Sequence, residues 1–295
     1  VRGADAPVLI AEDVSPVEAL SVETQDGSTA IGVVRKPPGQ GPFPAVVMLH
    51  GGLDPLPLDV LEVLAVRGWT MNRLLAAGYV IAIPTRRSRP EPPPGLGALR
   101  DSLAVVGEVK SMPEVDAESV VLVGSSGGSD LALEVAGEGG IVAVVAEEPA
   151  TVLFTAILTP DTPKRGATWT PAEVWPAEPK RHYTPDLQRL TREKIARIDC
   201  PILVSQGDQP LDGAHQLRMI NEILIPELRA LGRQVEEVVY PGQAHGFGFV
   251  VGAAPGPVAE ATAVAALEFF SDANAFFERQ LPTLLPRGGA PRGVL

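Results

Sequence analysis

The sequence predicts an α/β fold: a mostly parallel central sheet with helices on both faces and an antiparallel hairpin at its amino-terminal edge. Three observations carry this. Short apolar runs of strand length alternate with helical stretches along most of the 295 residues. The first two runs flank Asp26-Gly27, a strong hairpin turn pair. The run Val120-Val121-Leu122-Val123 passes through a glycine-rich turn straight into Leu131-Ala132-Leu133-Glu134-Val135-Ala136, a strand, tight turn and helix in succession. Strands this apolar are buried on both faces, and such sheets bind ligands beyond the carboxyl ends of their strands.

In order along the chain, residues 1–17 carry little periodicity and read as an extended arm. Alternation over Ala19 to Thr24 and Thr29 to Lys36 gives the hairpin. A proline and glycine loop leads to a buried strand over Pro44 to Leu49 that ends in His50-Gly51-Gly52. A helix over Thr70 to Ala77 stops at Gly78, and a strand covers Tyr79 to Pro84. After the polar, proline-rich Thr85 to Gly95, a helix covers Leu99 to Ser111. The glycine-turn strand follows, then strands over Ile141 to Ala146 and Pro201 to Ser205. A helical region from Ala214 to Leu231 is expected to kink or break at Pro226. A strand over Val235 to Tyr240 and a helix over Val258 to Arg279 close a single domain spanning 1–295. Residues 149–200 interrupt the alternation and read as an insert, or cap, at the carboxyl edge, and residues 285–295 as a loose tail.

Lys plus Arg is 24 and Asp plus Glu 36, a net charge of −12. That balance argues against a nucleic-acid or anionic-membrane surface. The single cysteine, Cys200, excludes an intramolecular disulfide and any multi-cysteine metal site. No apolar run approaches the about 18 residues that span a bilayer. A soluble chain is expected, with the cytoplasm and export after loss of a leader both open, as is the oligomeric state.

Gly124, Ser126 and Gly128 fit G-x-S-x-G, in which a serine on a strained bend exposes its hydroxyl above the sheet. A side chain at either glycine would collide with the neighbouring strand or helix. Ser125 is the other candidate nucleophile, but centring the motif on it requires glycine at Val123. A phosphate-cradling loop is the competing reading, weakened because G-x-G-x-x-G does not fit and no Lys-Ser or Lys-Thr pair follows. A serine nucleophile needs a base, and the chain has four histidines. His245 is favoured because it follows the last strand, on the same sheet edge as Ser126, among small residues; the bland alternative is a surface histidine in a turn. Developing charge on a carbonyl oxygen needs preorganised amides. Gly127, after the nucleophile, is one expected donor, and Gly52 or Leu53 supplies the other. His50 is assigned to structure.

These residues carry a resemblance. Ala45 to Gly52, Val115-Asp116 leading into Val121 to Gly128, Cys200 to Val204, and Tyr240 to Phe247 resemble the α/β-hydrolases of the dienelactone hydrolase and prolyl oligopeptidase-like group in type, order and spacing. The resemblance runs from about Thr29 to Leu281. It implies the α/β-hydrolase fold and hydrolysis of an ester, lactone, thioester or peptide bond through a covalent acyl-enzyme, with no cofactor and no metal. The chain departs from the group at the acid, which usually stands three residues after the glycine ending the penultimate strand. Here that glycine is Gly207 and the third position is Pro210. Asp208 ranks first as replacement and Asp212, which also suits a helix N-cap, second. Glu147 and Glu148, past the preceding strand, are the third option, with Glu148 put forward.

Within the insert, Trp169, Trp175, Phe154, His182 and Tyr183 offer an apolar wall for an acyl or aryl group, and packing of the insert explains them as well. Arg86, Arg87 and Arg89 follow another strand end; a solvated cluster is the leading reading, and Arg86 gripping a substrate carboxylate the alternative. The expected partner is a small-molecule ester, cleaved by a serine esterase acting on small or aryl esters. A peptidase is less favoured because no blade-like repeats are present, and a non-catalytic binding protein is motivated by the broken acid pattern.

Overall fold

A computed structural model of the chain describes residues 14–52, 54–87, 95–157, 175–209, 215–249 and 257–281. Strands β1 (Glu18–Glu23), β2 (Thr29–Arg35) and β3 (Phe43–Leu49) come first, then helices α1 (Leu58–Arg67) and α2 (Trp69–Ala76). They are followed by β4 (Val80–Pro84), α3 (Leu96–Ser111), β5 (Val115–Ser125), α4 (Gly127–Ala136) and β6 (Val144–Glu147). Beyond these lie α5 (Pro179–His182), α6 (Pro185–Ala196), β7 (Ile202–Gln209), α7 (His215–Met219), α8 (Ile225–Ala230), β8 (Val235–Ala244) and α9 (Pro257–Gln280).

The eight strands form one sheet in the order β1-β2-β4-β3-β5-β6-β7-β8. β1 with β2 and β2 with β4 pair antiparallel, and the remaining neighbours pair parallel. This is the expected architecture, and side-chain alternation explains its two cores. Ala45, Val47, Val120 and Leu122 pack on one face with α3, α4, α6 and the helices after β7. Val46, Met48, Val121 and Val123 pack on the other with α1, α2 and the phenylalanines of α9. No helix among the described residues is long and apolar enough to cross a membrane.

Three local differences from the sequence expectation have physical reasons. Helix α1 is an addition to it: its approach is proline-rich and only Leu61 and Ala65 are buried, so its apolar stripe is narrow. The helix around Pro226 does not break. A π-helical turn over Ile220–Leu224, closed by the Ile225 N–H on the Ile220 carbonyl, widens the backbone next to the proline and the chain continues into α8. Strands β7 and β8 run on to Gln209 and Ala244, which pair after a register irregularity beyond Gly207. That extension carries His245 to the edge where Ser126 lies. The arm over 1–13 and the tail over 285–295 lie outside the described residues.

Candidate active site

Ser126 joins β5 to α4 with φ 53° and ψ −119°, a conformation side chains rarely adopt. The flanking glycines make it passable. A Cβ on Gly124 would stand 2.5 Å from Ser129 Cα, and one on Gly128 would stand 2.0 Å from the Leu49 carbonyl oxygen. Main-chain bonds hold the bend: Ser126 N–H donates to the Glu147 carbonyl at 2.9 Å, and the Ser126 carbonyl accepts from Ala150 N–H at 3.1 Å. Ser125 is tied elsewhere, its buried hydroxyl donating to Glu147 Oε2 at 2.6 Å.

His245 follows β8, and its Nδ1 lies 3.0 Å from Glu148 Oε2. Glu148 is the first residue beyond β6, held at φ 43°. Its Oε1 accepts from Gly207 N–H at 3.0 Å and its Oε2 from Gly246 N–H at 2.5 Å. Gln216 Nε2 donates to its carbonyl at 2.6 Å. Only hydrogen fits at Gly207, where a Cβ would stand 2.3 Å from the Gln243 carbonyl oxygen and 3.1 Å from Glu148 Oε1. Burial alone pushes the His245 pKa down; the Glu148 carboxylate 3.0 Å away and the nearby Glu147 charge outweigh it and raise the value above that of an ordinary histidine.

Asp208, ranked first as the acid, has its hydrogen bonds elsewhere. Its exposed carboxylate accepts from Gly242 N–H at 2.6 Å and from Gln209 Nε2 at 3.2 Å. The reason is strand length: β7 continues through Gln209, so Asp208 is still within the sheet and fastens the β8 turn. Asp212 lies outside the described residues. Glu147 ends β6 and Glu148 turns out of it at φ 43°, and their carboxyl groups go to Ser125 and to His245 respectively.

The turn His50-Gly51-Gly52 lies over the serine. A Cβ on Gly51 would be 3.5 Å from Ser126 Cβ, and one on Gly127 would be 2.5 Å from the Gly52 carbonyl oxygen. Gly127 opens α4, so its N–H has no intrahelical carbonyl and sits at the positive end of the helix dipole. Leu53 lies outside the described residues. Arg86 departs from the expected solvated cluster. It is 3% exposed, and its Nη2 donates to the Gly52 carbonyl at 2.8 Å and the Gly51 carbonyl at 3.4 Å. The guanidinium thereby ties the start of the loop after β4 to the main chain of this turn. Its Nη1 lies 2.9 Å from both ring nitrogens of His50. Burial first, and the Arg86 charge second, push the His50 pKa down to about 3, so the ring is neutral at physiological pH. Arg87 pairs with Asp101 and Asp26, and Arg89 lies outside the described residues.

Trp175 meets His245 edge to face, with ring centroids 6.4 Å apart, while its Nε1 donates to the Ala150 carbonyl at 2.9 Å. Its body packs with Ala150, Val152 and Met219, so it both packs the insert and borders the histidine. Leu153 Cδ1 comes within 3.5 Å of where a Gly127 Cβ would be. The segment bearing it is clamped by Asp130 of α4, whose carboxylate accepts from the N–H groups of Thr151, Leu153 and Phe154 at 2.7, 2.9 and 3.0 Å. Sequence reasoning missed Asp130 and Gln216; a carboxylate in the apolar first turns of α4 was the available signal for the former. Tyr183 belongs to another neighbourhood, near Thr191, Arg192 and Glu227, and Trp169 lies outside the described residues. Among the described residues, the non-glycine positive-φ positions are Ser126, Glu148, Thr151 and Ala156. All four fall on the two segments that build this edge, where functional backbone strain concentrates.

No family model matches the chain, and no curated protein matches it. Solved structures do. An acylaminoacyl peptidase from Pyrococcus horikoshii is similar at TM-score 0.64 and 16% identity, over 94% of this chain and 44% of that one. Carboxyl esterase 2 from the mycorrhizal fungus Tuber melanosporum is similar at TM-score 0.63 and 18% identity, over 91% of this chain and 88% of that one. An esterase from the archaeon Pyrobaculum calidifontis is similar at TM-score 0.57 and 21% identity, over 89% of this chain and 83% of that one. The chain therefore spans less than half the length of the peptidase and most of the length of these esterases.

Proposed function

We propose that this chain, which has the α/β-hydrolase fold, is a serine hydrolase cleaving carboxylic esters of small acyl or aryl groups. The observation that carries the reading is the His245–Glu148 contact at 3.0 Å on the same sheet edge as a serine at φ 53°. Ser126 Oγ attacks the ester carbonyl while His245 takes its proton. Glu148 holds Nδ1–H and stabilises the imidazolium, the role expected first of Asp208. The amides of Gly127 and of the Gly52 turn stabilise the oxyanion. His245 then returns the proton to the leaving alcohol, and water repeats the cycle on the acyl-enzyme; this chemistry needs no metal or cofactor. Glu148 beside His245 supports this reading over a binding protein, whose motive was a missing acid. Esterases are among the similar folds along nearly their whole length, which favours an ester over a peptide substrate.

A fluorophosphonate tests this directly. One equivalent is expected on Ser126, located by peptide mass, with none on Ser126→Ala or on Ser125 of that variant. A wild type that stays unlabelled and inert towards p-nitrophenyl acetate and benzoate would sink the reading.

Arg86 gives a further expected result. Arg86→Met takes the Nη2 donor from the Gly52 carbonyl and from the Gly51 carbonyl, which His50 Nδ1 also approaches at 2.8 Å, and lets the oxyanion turn rotate. We expect kcat to fall by about ten- to a hundredfold with KM nearly unchanged, because the turn acts on the oxyanion more than on the bound ester. Arg86→Lys should recover part of the loss. Equal rates in Arg86→Met and wild type would show that this tie does not matter for turnover.

A further inference from the structure

Glu147 is the last residue of β6, and its side chain is fully buried. The triad chemistry gives it no task. Its position is nonetheless central. In the β5–β6 register it pairs with Ser125, and three donors of the serine turn converge on it. Ser125 Oγ donates to its Oε2 at 2.6 Å, Ser129 Oγ to its carbonyl at 2.8 Å, and Ser126 N–H to the same carbonyl at 2.9 Å. The adjacent residue is Glu148, whose carboxylate lies 3.0 Å from His245 Nδ1.

We propose that Glu147 is a positioning residue that braces the Ser126 turn through Ser125 and, as a second carboxyl group beside Glu148, sets how readily His245 takes up a proton. The proposal rests on the assignment of Ser126 and His245 as nucleophile and base. Its electrostatic part can be read without turnover.

The ionisable groups acting on Glu147 are Glu148 and His245, and those acting on His245 are Glu148 and Glu147. Burial, then the Glu148 charge, push Glu147 up to about 7, against the opposing Ser125 hydrogen bond and His245 charge. The upward direction brings its titration nearer to that of a histidine than an ordinary carboxyl's is. The sign follows from charge. An ionised Glu147 favours the imidazolium and a protonated one does not, so the two groups titrate as a coupled pair. During attack, when His245 becomes positive, ionised Glu147 stabilises the product of proton transfer. At lower pH the neutral carboxylic acid withholds that help while still accepting from Ser125.

The test is an NMR titration of the His245 ring in wild type, Glu147→Gln and Ser125→Ala, with the resonance identified by its loss in His245→Asn. Glutamine keeps the shape and an acceptor for Ser125 but has no proton to lose. We expect the His245 midpoint in Glu147→Gln to move to lower pH by about half a pH unit or more. Ser125→Ala, which removes a bond favouring ionised Glu147, should move it the same way by less. The acid limb of the fluorophosphonate reaction with Ser126 should shift in parallel. An unchanged midpoint in both variants overturns the proposal, even if one is less stable, because loss of packing alone does not move a histidine titration in a fixed direction. If wild type is unlabelled by the phosphonate while the midpoint falls as expected, the charge coupling stands and the hydrolase reading fails. Full labelling with a fixed midpoint is the converse.

Discussion

Glu148→Gln is expected to lower kcat for ester hydrolysis by about a thousand- to ten-thousandfold, while Asp208→Asn stays within about threefold of wild type. The contrast follows from what each carboxylate touches. Glu148 accepts from Gly207 N–H on one oxygen, and faces both Gly246 N–H and His245 Nδ1 with the other. A glutamine must turn an NH₂ group towards one of these positions. Against Gly246 and His245 it sets donor against donor and favours the wrong histidine tautomer. Against Gly207 it preserves the contact to His245 but loses a buried N–H bond and the negative charge that stabilises imidazolium. Asp208 is exposed and fastens a turn through Gly242 N–H, which asparagine can still accept. Initial rates on p-nitrophenyl esters between pH 6 and 9 decide it, and a collapse in Asp208→Asn with a near-normal Glu148→Gln would return the acid to β7.

What could be read from the sequence was what is decided locally. Two glycines around Ser126 are demanded by contacts within a few residues and with the adjoining strand end, so the motif announces the bend. The apolar strands and the Asp26-Gly27 hairpin depend on periodicity and turn chemistry, and they emerged in the expected order. The acid is decided differently. The proposed acid, Glu148, meets Gly207 N–H and the β8 turn because β6 lies beside β7 in the sheet; no spacing along the chain encodes that. Arg86 misled for a similar reason. Its proline-rich surroundings suggest solvent, but its side chain is buried against His50 and the carbonyls of Gly51 and Gly52, 36, 35 and 34 residues earlier. Pro226 was read from its own chemistry, while the π turn that accommodates it depends on packing of Ile220, Ile223 and Leu224 into the core.

Gly128→Ala is expected to be the most destabilising single methyl that the site region can receive. Its Cβ would lie 2.0 Å from the Leu49 carbonyl oxygen and 2.4 Å from that of His50. Both are main-chain atoms at the end of β3, a central strand, so no rotamer change relieves the overlap. Either β3 or the first turn of α4 must shift, and we expect a loss of more than about 3 kcal/mol in equilibrium urea unfolding, or no folded protein at all. Gly107→Ala is the matched control. Gly107 is exposed on α3, with nothing within 4 Å of the position an added methyl would take and no positive φ, so alanine there should stabilise by about 0.5–1 kcal/mol through helix propensity. Should Gly128→Ala unfold at the wild-type urea midpoint, the close approach of α4 to β3 would be refuted. Should it fold but be weakened, the same displacement would carry His50, Gly51 and Gly52 away from Gly127. The fold penalty and any loss of activity would therefore have one cause: the hydrogen at Gly128 that lets the Ser126 turn and the His50-Gly51-Gly52 turn share a wall.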